Sequence, residues 1–206
     1  HIKYIFPFEN RGAEVGVTMP HPHGQIYAYP FVPLKIVTEL DNAKAYFEIN
    51  NRSLFEVMNE EELKDGRRMI AENEHFLAYI PHFTDYPFGV FIVARQNLNS
   101  FADFRAEERK SLAALLKDIV GAFDLIYDRT FPYMMCVHQS PVNSEKYADC
   151  ASYYRFHIEF YPPLRGANKI KWYASSEMGA WAAANVVAVE ESAILMRNAL
   201  KRFREE

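Results

Sequence analysis

Residues 87–94, PFGVFIVA, and residues 105–127, RAEERKSLAALLKDIVGAFDLIY, decide the fold class of this chain. The first segment is a short apolar run rich in aromatic and β-branched residues, which predicts a buried strand. The second carries large apolar residues on one helical stripe, which predicts an amphipathic helix. The residues of that stripe are Leu112, Leu115, Leu116, Ile119, Phe123 and Ile126.

Further strands and helices are predicted on both sides of this pair. Downstream, strands are predicted at 133–138, 153–161 and 168–175, and a helix at 189–204. Upstream, strands are predicted at 3–9, 21–32 (extended) and in a hairpin of 67–72 with 76–81, and a helix over 41–65 that Gly66 ends. Strands joined by short turns and interrupted by a long helix indicate an α+β fold, with helices packed on an antiparallel sheet.

The predicted elements divide the chain into three parts. Residues 66–206 contain enough elements for a domain, and residues 35–65 form a helical connection to it. Residues 1–34 contain only two strands, which cannot bury a core, so they must pair with the rest of the chain or with polypeptide upstream. The chain starts at His1 with a strand already under way, so we expect it to be part of a longer protein.

The overall composition restricts the classes of partner. Charged residues make up 24% of the chain and the formal net charge is −4, which offers no basic field for nucleic acid or an anionic membrane. The two cysteines, Cys136 and Cys150, have no metal-knuckle spacing and are too few for a disulfide framework. We therefore expect reduced thiols and a cytoplasmic protein, without a membrane span.

The run His21-Pro22-His23-Gly24-Gln25 is the first candidate for chemistry. On a strand, His21, His23 and Gln25 would point to one face. A neutral imidazole can attack phosphorus and form a phosphoramidate, and the Gln25 amide can donate to a phosphoryl oxygen. By itself, however, an H-x-H pair also fits a metal site or two buried histidines, and its spacing leaves these alternatives open.

A longer set of motifs resembles the galactose-1-phosphate uridylyltransferase family, of the histidine-triad superfamily. HPHGQIYA follows Phe8-Glu9-Asn10-Arg11-Gly12 at the family's distance, and later motifs match its second half in order. These later motifs are Phe131-Pro132-Tyr133-Met134, His138, Pro141, Asn143 and the run His157-Ile158-Glu159-Phe160-Tyr161-Pro162-Pro163-Leu164. The resemblance implies a histidine-triad-like sheet.

The resemblance implies transfer of UMP from UDP-glucose to galactose 1-phosphate by a ping-pong route. His23 matches the histidine that becomes uridylylated, and Gln25 the glutamine that contacts the phosphoryl group. Two alternatives of other kinds remain. One is a related phosphorylase of ADP-sugars or dinucleoside polyphosphates, and the other is a catalytically silent C-terminal half that serves dimerisation.

The resemblance also implies two groups of substrate-binding residues. Those that match the lining of the nucleotide diphosphate site are Asn10, Gly16, Val17 and Thr18. Those that match a segment contacting the sugar phosphate, supplied in the family by the other subunit of a homodimer, are Lys171, Trp172, Ser176 and Glu177. Ser176 stands where the family has an aromatic residue, and Trp172 is an exchange of one aromatic residue for another.

Finally, the resemblance implies a structural metal, zinc or iron. Glu39, His138 and His157 match three ligands of that site, while Glu159 stands where the family has a third histidine. His157 and Glu159 are two residues apart on one predicted strand and so share a face. His21 matches one ligand of a separate zinc site whose other ligands would lie upstream of His1, so we expect it to act as a neighbour of His23.

Overall fold

The structure is a computed structural model that describes residues 1–19 and 21–205. Its strands are β1 (Tyr4–Arg11), β2 (Gly24–Tyr29), β3 (Met69–Glu72), β4 (Phe76–Tyr79), β5 (Phe91–Ala94), β6 (Tyr133–His138), β7 (His157–Tyr161), β8 (Leu164–Gly166) and β9 (Lys169–Ile170). Its α-helices are α1 (Leu34–Asn50), α2 (Leu54–Asp65), α3 (Ala106–Ile126) and α4 (Val189–Glu205).

Seven of these strands form one sheet in the order β2-β1-β6-β7-β5-β4-β3, and every neighbouring pair is antiparallel. Strands β8 and β9 form a separate small ribbon. The first two strands therefore do pair with the rest of the chain, because β1 lies against β6 with Phe8 opposite Cys136. The α+β prediction, with helices packed on an antiparallel sheet, is confirmed.

Each face of the sheet is covered by a different pair of helices. One core packs α3 and α4 against inward residues of the strands, such as Phe76, Ala78 and Phe160. The other packs α1 and α2 against the alternate strand residues, such as Leu77 and Tyr79. Because successive side chains of a strand point to opposite faces, each central strand contributes to both cores. The fold thus has three layers, with the sheet in the middle.

The helical prediction was right for the second half of the chain and wrong in part for the first. Helices α3 and α4 lie within one residue of the predicted 105–127 and 189–204. The single helix predicted over 41–65 is two helices, since Asn51 adopts a left-handed backbone (φ 52°) that ends α1. The first of them also begins earlier, at Leu34, directly after Pro33.

The predicted hairpin is present as β3 and β4, but two predicted strands are shorter than expected. Strand β7 starts at His157 and not at the predicted 153, because Tyr153 caps a 3₁₀ turn (Cys150–Ser152) and residues 154–156 are irregular. The strand predicted over 168–175 was wrong for most of its length: only Lys169–Ile170 pair, and Ser175–Gly179 form a π-helical turn. No helix within the described residues combines the length and apolar character required to cross a bilayer.

Candidate functional site

Four side chains that the sequence singles out as metal ligands meet between the sheet and α1. In β7, Ile158 and Phe160 point into the α3–α4 core, so His157 and Glu159 point to the opposite face, toward α1. His138 lies opposite His157 on β6, with ring centroids 4.9 Å apart. Glu39 on α1 closes the group from the other side. We call Glu39, His138, His157 and Glu159 the Glu–His cluster.

The ligand atoms of the Glu–His cluster lie within 4.8 Å of one another. The Nδ1 atom of His138 is 3.0 Å from Glu39 Oε1 and 3.7 Å from Glu159 Oε1. The Nε2 atom of His157 is 3.3 Å from Glu159 Oε1 and 3.7 Å from Glu39 Oε2. Four ligands about 2.0–2.2 Å from a tetrahedral ion are separated by roughly 3.4 Å from one another. The donor set and its spacing therefore fit a four-coordinate metal ion.

Neighbouring groups orient three of the four ligands, His157, Glu39 and Glu159. The Nδ1 atom of His157 lies 2.9 Å from the Arg155 carbonyl, so it carries the proton and leaves the Nε2 lone pair facing the cluster. The Tyr154 hydroxyl donates to Glu39 Oε2 at 2.9 Å. Lys35, one helical turn before Glu39, donates to Glu159 Oε2 at 2.6 Å. These contacts fix the tautomer and carboxylate orientation that metal binding requires.

The cluster is nearly closed to solvent. His138, His157 and Glu159 are 2%, 1% and 3% exposed, so unpaired charges there would be costly. Burial alone would raise the pKa of Glu159, but His138, His157 and Lys35 outweigh it and hold that pKa well below its usual range. Burial alone would likewise lower the pKa of His157, yet Glu159 and Glu39 raise it. The four groups thus form a charge-compensated set.

The histidine run leads into the edge strand β2, which is separated from β6 by β1. Regular strand begins only at Gly24, so His21 and His23 lie in the segment that leads into β2, and both are exposed. The Nδ1 atom of His23 is 2.8 Å from the carbonyl oxygen of His21. A carbonyl oxygen can only accept a hydrogen bond. His23 therefore holds its proton on Nδ1 and leaves its Nε2 lone pair free. Gln25 is exposed and pairs with Phe8 of β1.

A cavity of about 870 Å³ lies beside this run, between β1, β6 and α3. Asn10, Val17 and His21 line it together, so the structure brings three of the predicted residues to one place. Gly16 ends a short 3₁₀ turn in left-handed conformation (φ 83°), and Thr18 follows it on the surface. The cavity and the exposed His23 thus lie at one corner of the sheet.

The predicted sugar-phosphate residues form a separate segment beyond β9. The Lys171 ammonium group is turned inward and donates to the carbonyl oxygens of Asp85 and Ala184, and burial lowers its pKa. Trp172 is 70% exposed. Ser176 donates to the Ala182 carbonyl at 2.8 Å, and Glu177 accepts from the Ala174 amide at 3.3 Å. Lys171, Ser176 and Glu177 thus form hydrogen bonds with backbone groups, and among the described residues none of the four lines the cavity beside the histidine run.

The sequence did not predict a role for three residues that contact the Glu–His cluster: Lys35, Tyr154 and Tyr161. Tyr161 could have been found, because it lies two residues after Glu159 on the same face of β7. Lys35 is 124 residues away from Glu159, and only the packing of α1 on the sheet brings the two together.

Nearly the whole chain matches one protein family. Residues 39–200 match the family described as "Galactose-1-phosphate uridyl transferase, C-terminal domain", and residues 1–33 match its N-terminal domain. The galactose-1-phosphate uridylyltransferase of Thermotoga maritima is 41% identical over 95% of this chain and 60% of its own length. The enzyme of Schizosaccharomyces pombe is 33% identical over 85% of this chain and 47% of its own length.

Solved structures give the same relationship. A structure titled "Structure of uridylyltransferase" superposes with a TM-score of 0.90, at 29% identity over 98% of this chain and 62% of that one. An ADP-glucose phosphorylase from Arabidopsis thaliana, with bound ADP-glucose, reaches 0.82 at 28% identity over 95% and 59%. This chain spans about half to three fifths of the length of such relatives. The family matches, which run almost from one end of the sequence to the other, show that the chain belongs to the galactose-1-phosphate uridyl transferase family.

Proposed function

We propose that the protein transfers UMP from a UDP-hexose such as UDP-glucose to a hexose 1-phosphate, with His23 as the nucleophile. The observation that carries the proposal is the hydrogen bond between His23 Nδ1 and the His21 carbonyl. It selects the tautomer in which Nε2 has a free lone pair, which is the form that attacks phosphorus. His23 is exposed, so a substrate can reach that atom.

The reaction proceeds in two displacements. In the first, His23 Nε2 forms a bond to the α-phosphorus of the UDP-hexose, the bond from phosphorus to the bridging oxygen breaks, and hexose 1-phosphate leaves. In the second, a phosphate oxygen of the acceptor hexose 1-phosphate attacks the same phosphorus and the P–N bond breaks. UDP-galactose leaves when galactose 1-phosphate is the acceptor, and His23 is regenerated.

The remaining predicted residues hold the substrate. Gln25 donates amide hydrogens to a phosphoryl oxygen, which stabilises developing charge without adding any. Asn10, Gly16, Val17 and Thr18 contact the diphosphate, in keeping with the cavity that Asn10 and Val17 line. Since the net charge is −4, such local donors must provide the phosphate affinity.

We further propose that the segment around Lys171, Trp172, Ser176 and Glu177 acts across a homodimer. Trp172 and Trp181 expose 70% and 79% of their surface, which is unusual for indole side chains and typical of an interface. Their burial against a second copy would bring the segment to that copy's sugar phosphate.

The Glu–His cluster is proposed to bind zinc or iron. Two imidazoles and two carboxylates suit either ion. Glu39, His138, His157 and Glu159 would hold it, and the bound ion would tie α1 to β6 and β7. Its role is structural, while the transfer chemistry belongs to His23.

Labelling tests the proposed function directly. The protein incubated with UDP-glucose labelled in the uridine is expected to acquire an acid-labile label, and His23→Asn should abolish it. His82→Asn, which removes another exposed histidine, is the control and should retain the label. Absence of label in the unaltered protein, or label that survives His23→Asn, would refute the proposal.

A phosphorylase of ADP-sugars is the second candidate, favoured by the similarity to the Arabidopsis thaliana ADP-glucose phosphorylase. Such an enzyme would use the same histidine with inorganic phosphate as acceptor. Parallel labelling with UDP-glucose and ADP-glucose distinguishes the two. Uridine label in large excess supports the uridylyltransferase, and adenosine label in excess supports the phosphorylase.

A further inference from the structure

The two carboxylate oxygens of Glu159 have different surroundings. Oε1 faces the Glu–His cluster, 3.3 Å from His157 Nε2 and 3.7 Å from His138 Nδ1. Oε2 faces away and accepts hydrogen bonds from Lys35 Nζ, at 2.6 Å, and from the Tyr161 hydroxyl. One oxygen of the Glu159 carboxylate therefore faces the cluster, and the other accepts hydrogen bonds from Lys35 and Tyr161.

Lys35 and Tyr161 contact each other as well as Glu159. Lys35 Nζ lies 2.6 Å from the Tyr161 oxygen and 4.7 Å from the centre of its ring, within cation–π range. The Lys35 side chain is 55% exposed while that of Glu159 is 4% exposed, so the ammonium group caps the buried carboxylate from the solvent side. Both donors come from rigid elements, the first turn of α1 and the end of β7.

We propose that Lys35 and Tyr161 keep Oε2 of Glu159 out of the metal's coordination sphere, so that Glu159 serves as a one-oxygen ligand and the cluster selects a four-coordinate transition-metal ion over Ca²⁺. This inference rests on the proposed metal site. It assigns Lys35 and Tyr161 as positioning residues that set which ion is bound.

The selectivity follows from ligand number and charge. Ca²⁺ takes six to eight oxygen ligands and commonly binds carboxylates through both oxygens. Oε2 of Glu159 is engaged by Lys35 and Tyr161, and Oε2 of Glu39 accepts from the Tyr154 hydroxyl. The cluster then supplies four donors, two of them imidazole nitrogens, which suits zinc or iron(II). The positive charge of Lys35 also offsets one of the two carboxylates, which weakens the field that attracts a hard divalent cation.

Cobalt(II) is the probe for this arrangement, because its visible absorption is intense in four-coordinate sites and weak at higher coordination number. The metal-free protein is titrated with Co²⁺, and then with Ca²⁺ in competition. The variants are Lys35→Met, Tyr161→Phe and Lys35→Arg, the last of which retains the charge and donors. Lys44→Met is the matched control, because Lys44 lies on the same helix and forms an ion pair with Asp149 at 2.9 Å.

We expect the unaltered protein, Lys35→Arg and Lys44→Met to show the intense four-coordinate Co²⁺ bands. Lys35→Met should lose intensity as Oε2 joins the metal, and should gain Ca²⁺ affinity on the order of tenfold, since carboxylate charge and denticity set Ca²⁺ affinity. Tyr161→Phe should change the Co²⁺ band intensity and the Ca²⁺ affinity in the same direction but by less. Because this variant retains the Lys35 ammonium group beside Glu159, it provides the test if Lys35→Met fails to fold.

Four-coordinate bands of equal intensity in Lys35→Met, Tyr161→Phe and the control, with unchanged Ca²⁺ affinity, would overturn the inference while leaving the metal site intact. A different result, no Co²⁺ binding by the unaltered protein, would overturn the metal site itself. Labelling of His23 is independent of both outcomes and tests the proposed transfer reaction separately.

Discussion

Gly12 lies in the turn between Asn10 and Val17. Its replacement by alanine should destabilise the protein strongly. Its backbone angles, φ 99° and ψ 149°, lie in a region that essentially only glycine occupies. Its carbonyl oxygen accepts the amide hydrogens of Val15 and Val17 at 3.2 and 3.3 Å. Gly12→Ala therefore changes the turn beside the proposed nucleotide site and not merely a surface loop.

Two effects add in this substitution. The strained backbone costs about 1–3 kcal/mol. A Cβ atom at Gly12 would also lie 2.7 Å from the Pro132 Cβ and 3.1 Å from its Cα, so backbone must move, which costs a further ~1–3 kcal/mol. We expect a loss of about 4 kcal/mol in the free energy of unfolding, which corresponds to a decrease of roughly 8–16 °C in Tm for a chain of this size.

The variant Gly16→Ala distinguishes the cost of backbone strain from the cost of the steric clash with Pro132. Gly16 is also left-handed, at φ 83°, but a Cβ there would meet no atom within 4 Å, so the expected loss is only about 1–2 kcal/mol. Urea unfolding should be followed by far-ultraviolet circular dichroism, because Trp172 and Trp181 are exposed and report folding poorly. Equal losses for the two variants, or a loss below about 1 kcal/mol for Gly12→Ala, would refute this reasoning.

Three further expectations can be checked on the purified protein. Zn²⁺ at a hundredfold excess over its Kd should stabilise the fold by about 2.7 kcal/mol and raise Tm by roughly 5–10 °C in calorimetry, and His138→Gln should remove that shift. Burial raises the pKa of the Cys136 thiol to about 12, so alkylation at pH 8 should be slow until urea unfolds the chain, and rapid labelling of the native protein would contradict the structure. Arg68→Met would leave the buried Glu62 carboxylate without the guanidinium 2.9 Å away and should cost about 3–5 kcal/mol in urea unfolding, whereas an unchanged midpoint would show that solvent replaces the pair.

The sequence predicted those parts of the fold in which local pattern and tertiary packing agree. Helix α3 was foreseen almost to the residue because its apolar stripe is the face that packs in the core. The start of α1 was missed because Ile36, Val37 and Thr38 are β-branched and follow Pro33, a combination that favours extended backbone locally. Burial of Ile36 and Leu40 against the sheet stabilises the helix there instead.

The candidate site divides in the same way. The four members of the Glu–His cluster were predicted as a group, and the structure brings them together. Its outer contacts were not predicted, since the pairing of Lys35 with Glu159 depends on how α1 lies across the sheet. The orientation of His23 could not be predicted from the sequence either, because the residue lies before β2 and its tautomer depends on one backbone carbonyl.

The most direct test of the central claim is to locate the covalent intermediate on the chain. The protein is mixed with UDP-glucose, denatured at alkaline pH, where phosphoramidates persist, and digested, and its peptides are sequenced by tandem mass spectrometry. We predict one UMP group, attached to His23. UMP on His21 or on any residue other than His23, or peptides covering residues 21–25 that remain unmodified under turnover, would contradict the account.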